Sequence, residues 1–367
     1  MDLSAVRAEL PVLERFAYLN AGTNGPLPRR TAEAMSRALE RDLIEGRSSK
    51  AYFESLLEGR ERLRAALAGV LGTAADNIAL ASSTTEGCNV VIVGLGIGPG
   101  DEVVTTDSEH PGLFGGLKAS GADLRVVELK DLPAAEALAA LEEAISERTR
   151  LIALSHVSWL TGAVLPVREL AGRGIPLLVD GAQAAGAIPV DVEEIGCDFY
   201  TVSAQKWLLG PDVTGALYVA SARAEELRMA LPSYGSWDWE APERYTPKAT
   251  AARFDPGWIA LGSVDGLLES IAFAREAGEE RFEHARAMAR RLADVLSEYY
   301  DVVTEPDQAT LVTWKAEGTS EEVVARLAQA GVVIRDLPGL GLLRASCGFW
   351  TSEEDLDRLV LALEKIS

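Results

Sequence analysis

Leu177–Val192 reads LLVDGAQAAGAIPVDV, and Cys197–Pro211 reads CDFYTVSAQKWLLGP. Both stretches open on a short apolar run and close on polar residues, Asp180 in the first and Ser203 to Lys206 in the second. A short apolar run bounded by small and turn-forming residues predicts a strand buried on both faces. The signature recurs outward, at Asn77–Ala81, Glu102–Thr106, Leu124–Glu128, Leu151–Ser155 and Gly215–Val219, with helical stretches between. That alternation predicts an α/β fold with a mostly parallel sheet covered on both sides. Thr31–Leu43 and Ser55–Leu71 carry apolar residues three and four apart, and so predict helices ahead of the first strand.

Downstream the alternation stops. Residues 231–262 are rich in Pro, Gly and aromatics, and predict a long functional loop or a link between domains. Ser263–Leu296 predicts one long helix or two. The tail predicts strands near 310–315, 332–335 and 341–346, then a helix over 353–365. The expected division is a large α/β domain over 15–255 and a smaller α+β domain made of 1–14 with 256–367.

A chain of 367 residues has room for two domains with a substantial shared core. The net charge of -21 argues against a nucleic-acid partner, because a phosphate backbone calls for a basic surface. Cys88, Cys197 and Cys347 are too few and too scattered for a disulfide framework or a metal quartet, so no metal is expected. Met1–Phe16 carries charges throughout and does not read as a signal peptide. No run reaches the roughly 18 apolar residues of a membrane span. The expected setting is the cytoplasm, with no membrane partner.

Lys206 differs from the other lysines, which lie in stretches that read as surface turns, helices or ends. A lysine at a strand end among small and aromatic residues loses solvation, which lowers its pKa and frees the amine for bonding to a carbonyl carbon. Asp180, at a neighbouring strand end, can keep a pyridine nitrogen protonated, so the pair suits pyridoxal 5′-phosphate (PLP). Ser82-Ser83-Thr84-Thr85 follows a strand and opens the helix Cys88–Leu95, where hydroxyls and free N–H groups can cradle a phosphate. His110, after another strand end, can stack on a flat ring. Each residue also suits a structural role: a buried ion-paired lysine, an Asp ending a strand, a Ser/Thr helix cap, a solvated histidine. The glycines of Gly94–Gly100 (GLGIGPG) sit after a helix and before a strand, the reverse of a dinucleotide fingerprint, and predict a helix stop and turn.

Taken together, the segments resemble the class V aminotransferase-like PLP enzymes, a group that includes cysteine desulfurases, isopenicillin N epimerase and cyst(e)ine C–S lyases. The resemblance runs from YLNAGTNGPLP at Tyr18–Pro28 to LRASCGFWTSEEDLDRL at Leu343–Leu359, and is most specific at VDGAQ (179–183) and SAQKW (203–207). It implies PLP fold type I, with a mainly parallel large domain, a smaller C-terminal α+β domain and a homodimer. By position it implies Lys206 as the Schiff-base lysine, Asp180 on the ring nitrogen, His110 on the ring face and Gln183 near the ring hydroxyl. Thr84, Thr85, Ser203 and Gln205 would hold the phosphate. Arg344 would grip the carboxylate of an amino-acid substrate through its planar fork, with Asn20 also at the substrate.

The departures are informative. Gln205 stands where many members have His, and Ser158, Trp159, Leu160 and Thr161 stand where many carry an Asn for the ring hydroxyl. Trp258 follows Arg253–Gly257, where a Thr usually reaches the other subunit's phosphate, and leaves that contact to Ser263, to water or unmade. Desulfurases carry a nucleophilic Cys shortly before the carboxylate-binding Arg, and Asp336–Leu343 contains none. Cys88, Cys197 and Cys347 are expected to be small buried hydrophobes. Asp107–Gly112 (DSEHPG) and the segment Ser155–Gly162 most resemble the C–S lyases, which implies α,β-elimination from cystine, cysteine or a cysteine conjugate. An epimerase or aminotransferase of the same family is the alternative.

Overall fold

The computed structural model describes residues 1–241 and 244–366. The chain opens with helix α1 (Leu3–Ala8), strand β1 (Ala17–Tyr18) and helices α2 (Arg29–Glu45) and α3 (Lys50–Leu71). Helix α3 starts ahead of its apolar pattern because Ser49 caps it, accepting the Tyr52 N–H at 3.1 Å. It ends at Gly72, whose φ of 69° and contact with Asp191 leave no room for a side chain.

Alternation then follows: β2 (Ile78–Ala81), α4 (Thr84–Gly94), β3 (Glu102–Thr106), α5 (Pro111–Ser120), β4 (Asp123–Val127), α6 (Ala137–Ala144), β5 (Thr149–Ser155) and α7 (Val167–Leu170). Next come β6 (Leu177–Asp180), α8 (Val192–Ile195), β7 (Phe199–Ser203) and β8 (Gly215–Val219). These strands form one seven-stranded sheet in the order β2-β8-β7-β6-β5-β3-β4. Only β8 runs antiparallel to its neighbours, so β2, β3, β5, β6 and β7 all end at the same edge. Residues alternate between two cores: Ile152, Leu154, Val179 and Val202 face α3 and its Leu63, Leu67 and Leu71, while Leu151, Ala153 and Leu178 face α4 and α5. That two-sided burial explains the near-continuous apolar runs, each fully buried Leu contributing about 1.5–3 kcal/mol. The Gly94–Gly100 segment is the stop and turn its order predicts, between α4 and β3.

The 231–262 segment holds structure that composition did not reveal: β9 (Trp237–Ala241) and β10 (Arg244–Pro247) pair antiparallel. Asp255 is buried behind it, accepting from Arg60 Nη2, Arg64 Nη2 and the Leu80 N–H, each at 2.8 Å. This network ties α3 to β2 and to the 251–255 turn. Two helices follow, α9 (Leu261–Glu276) and α10 (Glu280–Ser297), broken at Gly278 with φ 74°.

The tail contains β11 (Leu311–Lys315), α11 (Ser320–Gln329), β12 (Val332–Val333), β13 (Arg335–Leu337), β14 (Leu342–Ser346) and α12 (Glu353–Glu364). The expected strand at 332–335 divides: β12 pairs in parallel with β1, and β13 joins the antiparallel sheet β11-β14-β13. Among the described residues, no helix is long and apolar enough to cross a membrane.

Candidate active site

Side chains with chemistry gather where β2, β3, β5, β6 and β7 end, the edge at which open α/β sheets place ligands. Lys206 follows β7 in a turn, partly buried, and its ammonium has no hydrogen bond or ion pair among the described residues. Burial pulls its pKa down to about 8; Asp180 opposes that shift, while Arg344 and Arg335 add to it. Asp180 ends β6 as a buried carboxylate, with Oδ1 accepting the Ala182 N–H at 2.9 Å. Burial raises its pKa, and Lys206 acts in the opposite direction. The result is an acid and an amine that sense each other without closing a salt bridge.

Thr84 and Ser203 meet at the α4 N-terminus, the Thr84 N–H donating to Ser203 Oγ at 2.9 Å. Gly87 lets this helix lie on β7, since a Cβ there would come within 2.7 Å of Thr201 Cγ2. Thr85 is exposed beside the α5 N-terminus, its Oγ1 2.4 Å from where a Cβ on Gly112 would stand. Gln205 has a buried Oε1 with no partner. Amide oxygen and nitrogen exchange places on a half-turn, so the same site can present a donor. Gln183 is already engaged, donating to Gly22 O and accepting from Trp207 Nε1, both at 2.9 Å, which leaves one amide N–H.

His110 caps α5 with Nδ1 accepting the Gly112 N–H at 3.0 Å, and its ring meets Trp159 edge-on at 5.3 Å. Burial first, then Lys206, lowers its pKa to about 4, so above that pH it is a neutral ring suited to lie on an aromatic face. Asn20 lies on the opposite bank, its Oδ1 accepting from Thr23 Oγ1 at 2.9 Å and its backbone bridging to Ser346.

Arg344 is a buried guanidinium with donors to spare. It is 1% exposed, donates Nη1 to Trp159 O at 2.8 Å, and leaves Nε buried without a partner. No acidic side chain pairs with it among the described residues, and burial lowers its pKa to about 9, with Arg335 contributing. A buried guanidinium without a counter-ion is costly, and an arriving carboxylate relieves that cost. Gly22 permits the arrangement, because a Cβ there would stand 2.6 Å from Arg344 Nη2.

Sequence reasoning gave no role to three residues of this site. Arg335 faces Arg344 across the β13–β14 ladder and donates to Thr23 Oγ1 at 3.1 Å. The two arginines flank one tight turn, a hairpin pattern that would have paired them. Trp159 joins His110 to Arg344, and its indole N–H is buried without a partner. Glu109 is a buried carboxyl group beside His110. The cysteines are buried and free, and burial raises the pKa of each thiol.

The residues present fit PLP, the cofactor that the resemblance implies. An unpaired amine, a buried acid, a neutral ring, hydroxyls at a helix N-terminus and orphaned buried polar atoms line one sheet edge.

Comparison with known proteins follows the same line. Residues 17–359 match the protein family described as Aminotransferase class-V. Isopenicillin N epimerase of Streptomyces clavuligerus is 32% identical over 404 residues, covering 100% of this chain and 98% of that protein. A probable cysteine desulfurase of Methanothermobacter thermautotrophicus is 27% identical over 396 residues, covering 100% and 98%. The solved complex of the cystine C–S lyase C-DES with its reaction product cysteine persulfide superposes with a TM-score of 0.90 at 27% identity, over 96% of this chain and 98% of that one. The chain belongs to the class V aminotransferase family.

Proposed function

We propose that this enzyme is a PLP-dependent C–S lyase that performs α,β-elimination on cystine, cysteine or a cysteine conjugate. Its carrying observation is the pair of cross-strand arginines, both without acidic partners among the described residues, set beside an amine of lowered pKa in a chain whose thiols are all buried. PLP, when bound, supplies an electron sink for the bond electrons at the substrate α-carbon. Everything else falls to the chain. Lys206 would hold the cofactor and, as a free amine of lowered pKa, would take up the substrate's α-proton. Asp180 would keep the ring nitrogen protonated, and His110 would cover one ring face. Thr84, Thr85, Ser203 and Gln205 would hold the phosphate, and Gln183 would offer its remaining N–H to the ring hydroxyl.

Arg344, with Asn20 nearby, holds the substrate carboxylate and fixes the α-hydrogen near Lys206. Arg335 supplies a second positive charge, which favours a substrate with a second carboxylate, such as cystine. The β-carbon–sulfur bond then breaks with its electron pair leaving on sulfur. The three-carbon remainder takes up water to give pyruvate and ammonia. Cys88, Cys197 and Cys347 play no part, because buried thiols of raised pKa are poor nucleophiles.

Full-length likeness to isopenicillin N epimerase supports a second reading, inversion at the α-carbon. An amino-acid panel decides between them by product: keto acid with ammonia supports elimination, an inverted amino acid supports epimerisation, and amino-group transfer overturns both. We also propose a homodimer. Leu39, Leu43 and Ile44 project from α2 at 72%, 83% and 74% exposure, a cost to a lone chain that a second copy would remove. Sedimentation at micromolar concentration tests it, a monomer being the contrary result.

A further inference from the structure

Glu109 is a buried acid that the proposed reaction does not use. It lies in the loop after β3, immediately before His110, and its carboxyl group points into the protein. Oε1 accepts from Thr106 Oγ1 at 2.7 Å, and Oε2 takes both the Ser155 N–H at 2.9 Å and Ser155 Oγ at 2.5 Å. Ser155 ends β5 and stands opposite Asp180 in the β5–β6 register. One side chain therefore bonds the loop carrying His110 to the strand beside Asp180 and to the segment leading to Trp159.

We propose that Glu109 is a positioning residue, whose carboxyl group pins the His110 loop to the end of β5 and thereby sets the plane in which His110 meets the cofactor ring. The proposal rests on the reading of this site as a PLP site. The local geometry needs such a pin. The His110 ring itself bonds only to the Gly112 N–H and meets Trp159 edge-on among the described residues. Asp107 secures the other end of the loop, accepting the Leu129 N–H at 2.8 Å.

The groups facing Glu109 are Thr106 of β3, Ser108 of the loop, Ser155 of β5, Asp180 of β6 and Cys88 of α4. Burial, with Asp180 adding, pushes its pKa up to about 7, against the hydrogen bonds from Ser155 and Thr106. Below that pH it is a neutral acid that can donate to Ser155 Oγ. A glutamine keeps the same partners with one bond reversed: its oxygen accepts from Ser155, and its amide donates to Thr106 Oγ1, which turns from donor to acceptor.

Glu109→Ala and Glu109→Gln are compared with the parent as PLP-loaded proteins, reading the induced circular dichroism of the cofactor band per bound cofactor, and kcat. Glu109→Ala is expected to lose most of the dichroism and about 10- to 100-fold in kcat, the scale of a misplaced catalytic ring. Glu109→Gln is expected to restore both to within a few-fold of the parent below pH 7. Ser155→Ala removes one partner of the pin and should lower the dichroism partway; it carries the test if Glu109→Ala does not fold. Parental dichroism and kcat in a folded Glu109→Ala, or in Ser155→Ala where that protein carries the test, overturns the proposal. So does a Glu109→Gln as damaged as Glu109→Ala. A parent protein that takes up no PLP overturns the cofactor reading instead.

Discussion

Replacing Arg344 separates binding from folding, because its guanidinium is buried yet has no counter-ion among the described residues. The side chain is 1% exposed and spends one donor on Trp159 O. A substrate carboxylate seated on two of its remaining donors makes a charge-assisted pair out of water. Removing one partner of such a pair costs about 2–4 kcal/mol, or about 30- to 1000-fold in kcat/KM. Arg344→Lys should lose nearly as much as Arg344→Ala, since a point charge cannot reproduce the fork. Arg344→Met is the decisive control. It fills a similar volume and removes an uncompensated buried charge, so thermal stability of the ligand-free protein should hold or rise, while kcat/KM falls as in Arg344→Ala. The assay is steady-state turnover of cystine beside a thermal melt of each variant. Unchanged kcat/KM in Arg344→Ala refutes the assignment, and a collapse in stability of Arg344→Met refutes the claim that the charge serves a ligand.

Lys206→Ala should abolish turnover and the visible absorbance of the lysine-bound cofactor, and a colourless parent that takes up no PLP would contradict the cofactor reading. PLP uptake by the cofactor-free protein requires an unprotonated Lys206, whose pKa is lowered to about 8; the uptake rate should rise with pH through 8 and level off above it, and a rate falling over that interval would contradict the assignment. Arg335→Ala should raise KM for cystine by about 10-fold or more and leave KM for cysteine within a few-fold, so equal effects on the two would remove Arg335 from the distal carboxylate.

The central strands were legible because a sheet covered on both faces writes itself as apolar runs closed by turn residues. Leu177–Asp180 and Phe199–Ser203 stand at their expected bounds, which puts Asp180 at the end of β6 and Lys206 just past the end of β7. Helix starts were less legible. The α4 helix begins at Thr84 rather than Cys88, because Ser83 captures the Glu86 N–H and polar residues complete the first turn. The β9–β10 pair was hidden although Trp237, Trp239 and Ala241 alternate with Asp238 and Glu240, because the run is short and largely exposed and lies in a stretch read from its Pro, Gly and aromatic content as a loop. The roles proposed for Arg335, Trp159 and Glu109 were hidden for another reason: each rests on a contact with a residue distant in sequence or across a turn, Arg344, His110 and Ser155 respectively. Gly22 likewise reads as an ordinary loop glycine until Arg344 is seen packed against it.

The lyase account turns on what becomes of the substrate carbon skeleton when no protein thiol takes part. A desulfurase hands sulfur to a cysteine thiolate and leaves alanine, whereas elimination leaves pyruvate and ammonia. The direct measurement is the pyruvate-to-alanine ratio formed from cysteine by the PLP-loaded parent and by a variant with Cys88, Cys197 and Cys347 all changed to Ala. Pyruvate is expected as the main product of both, at rates within a few-fold of each other. Alanine as the main product of the parent, or a folded, PLP-bound variant that has lost activity, would contradict it.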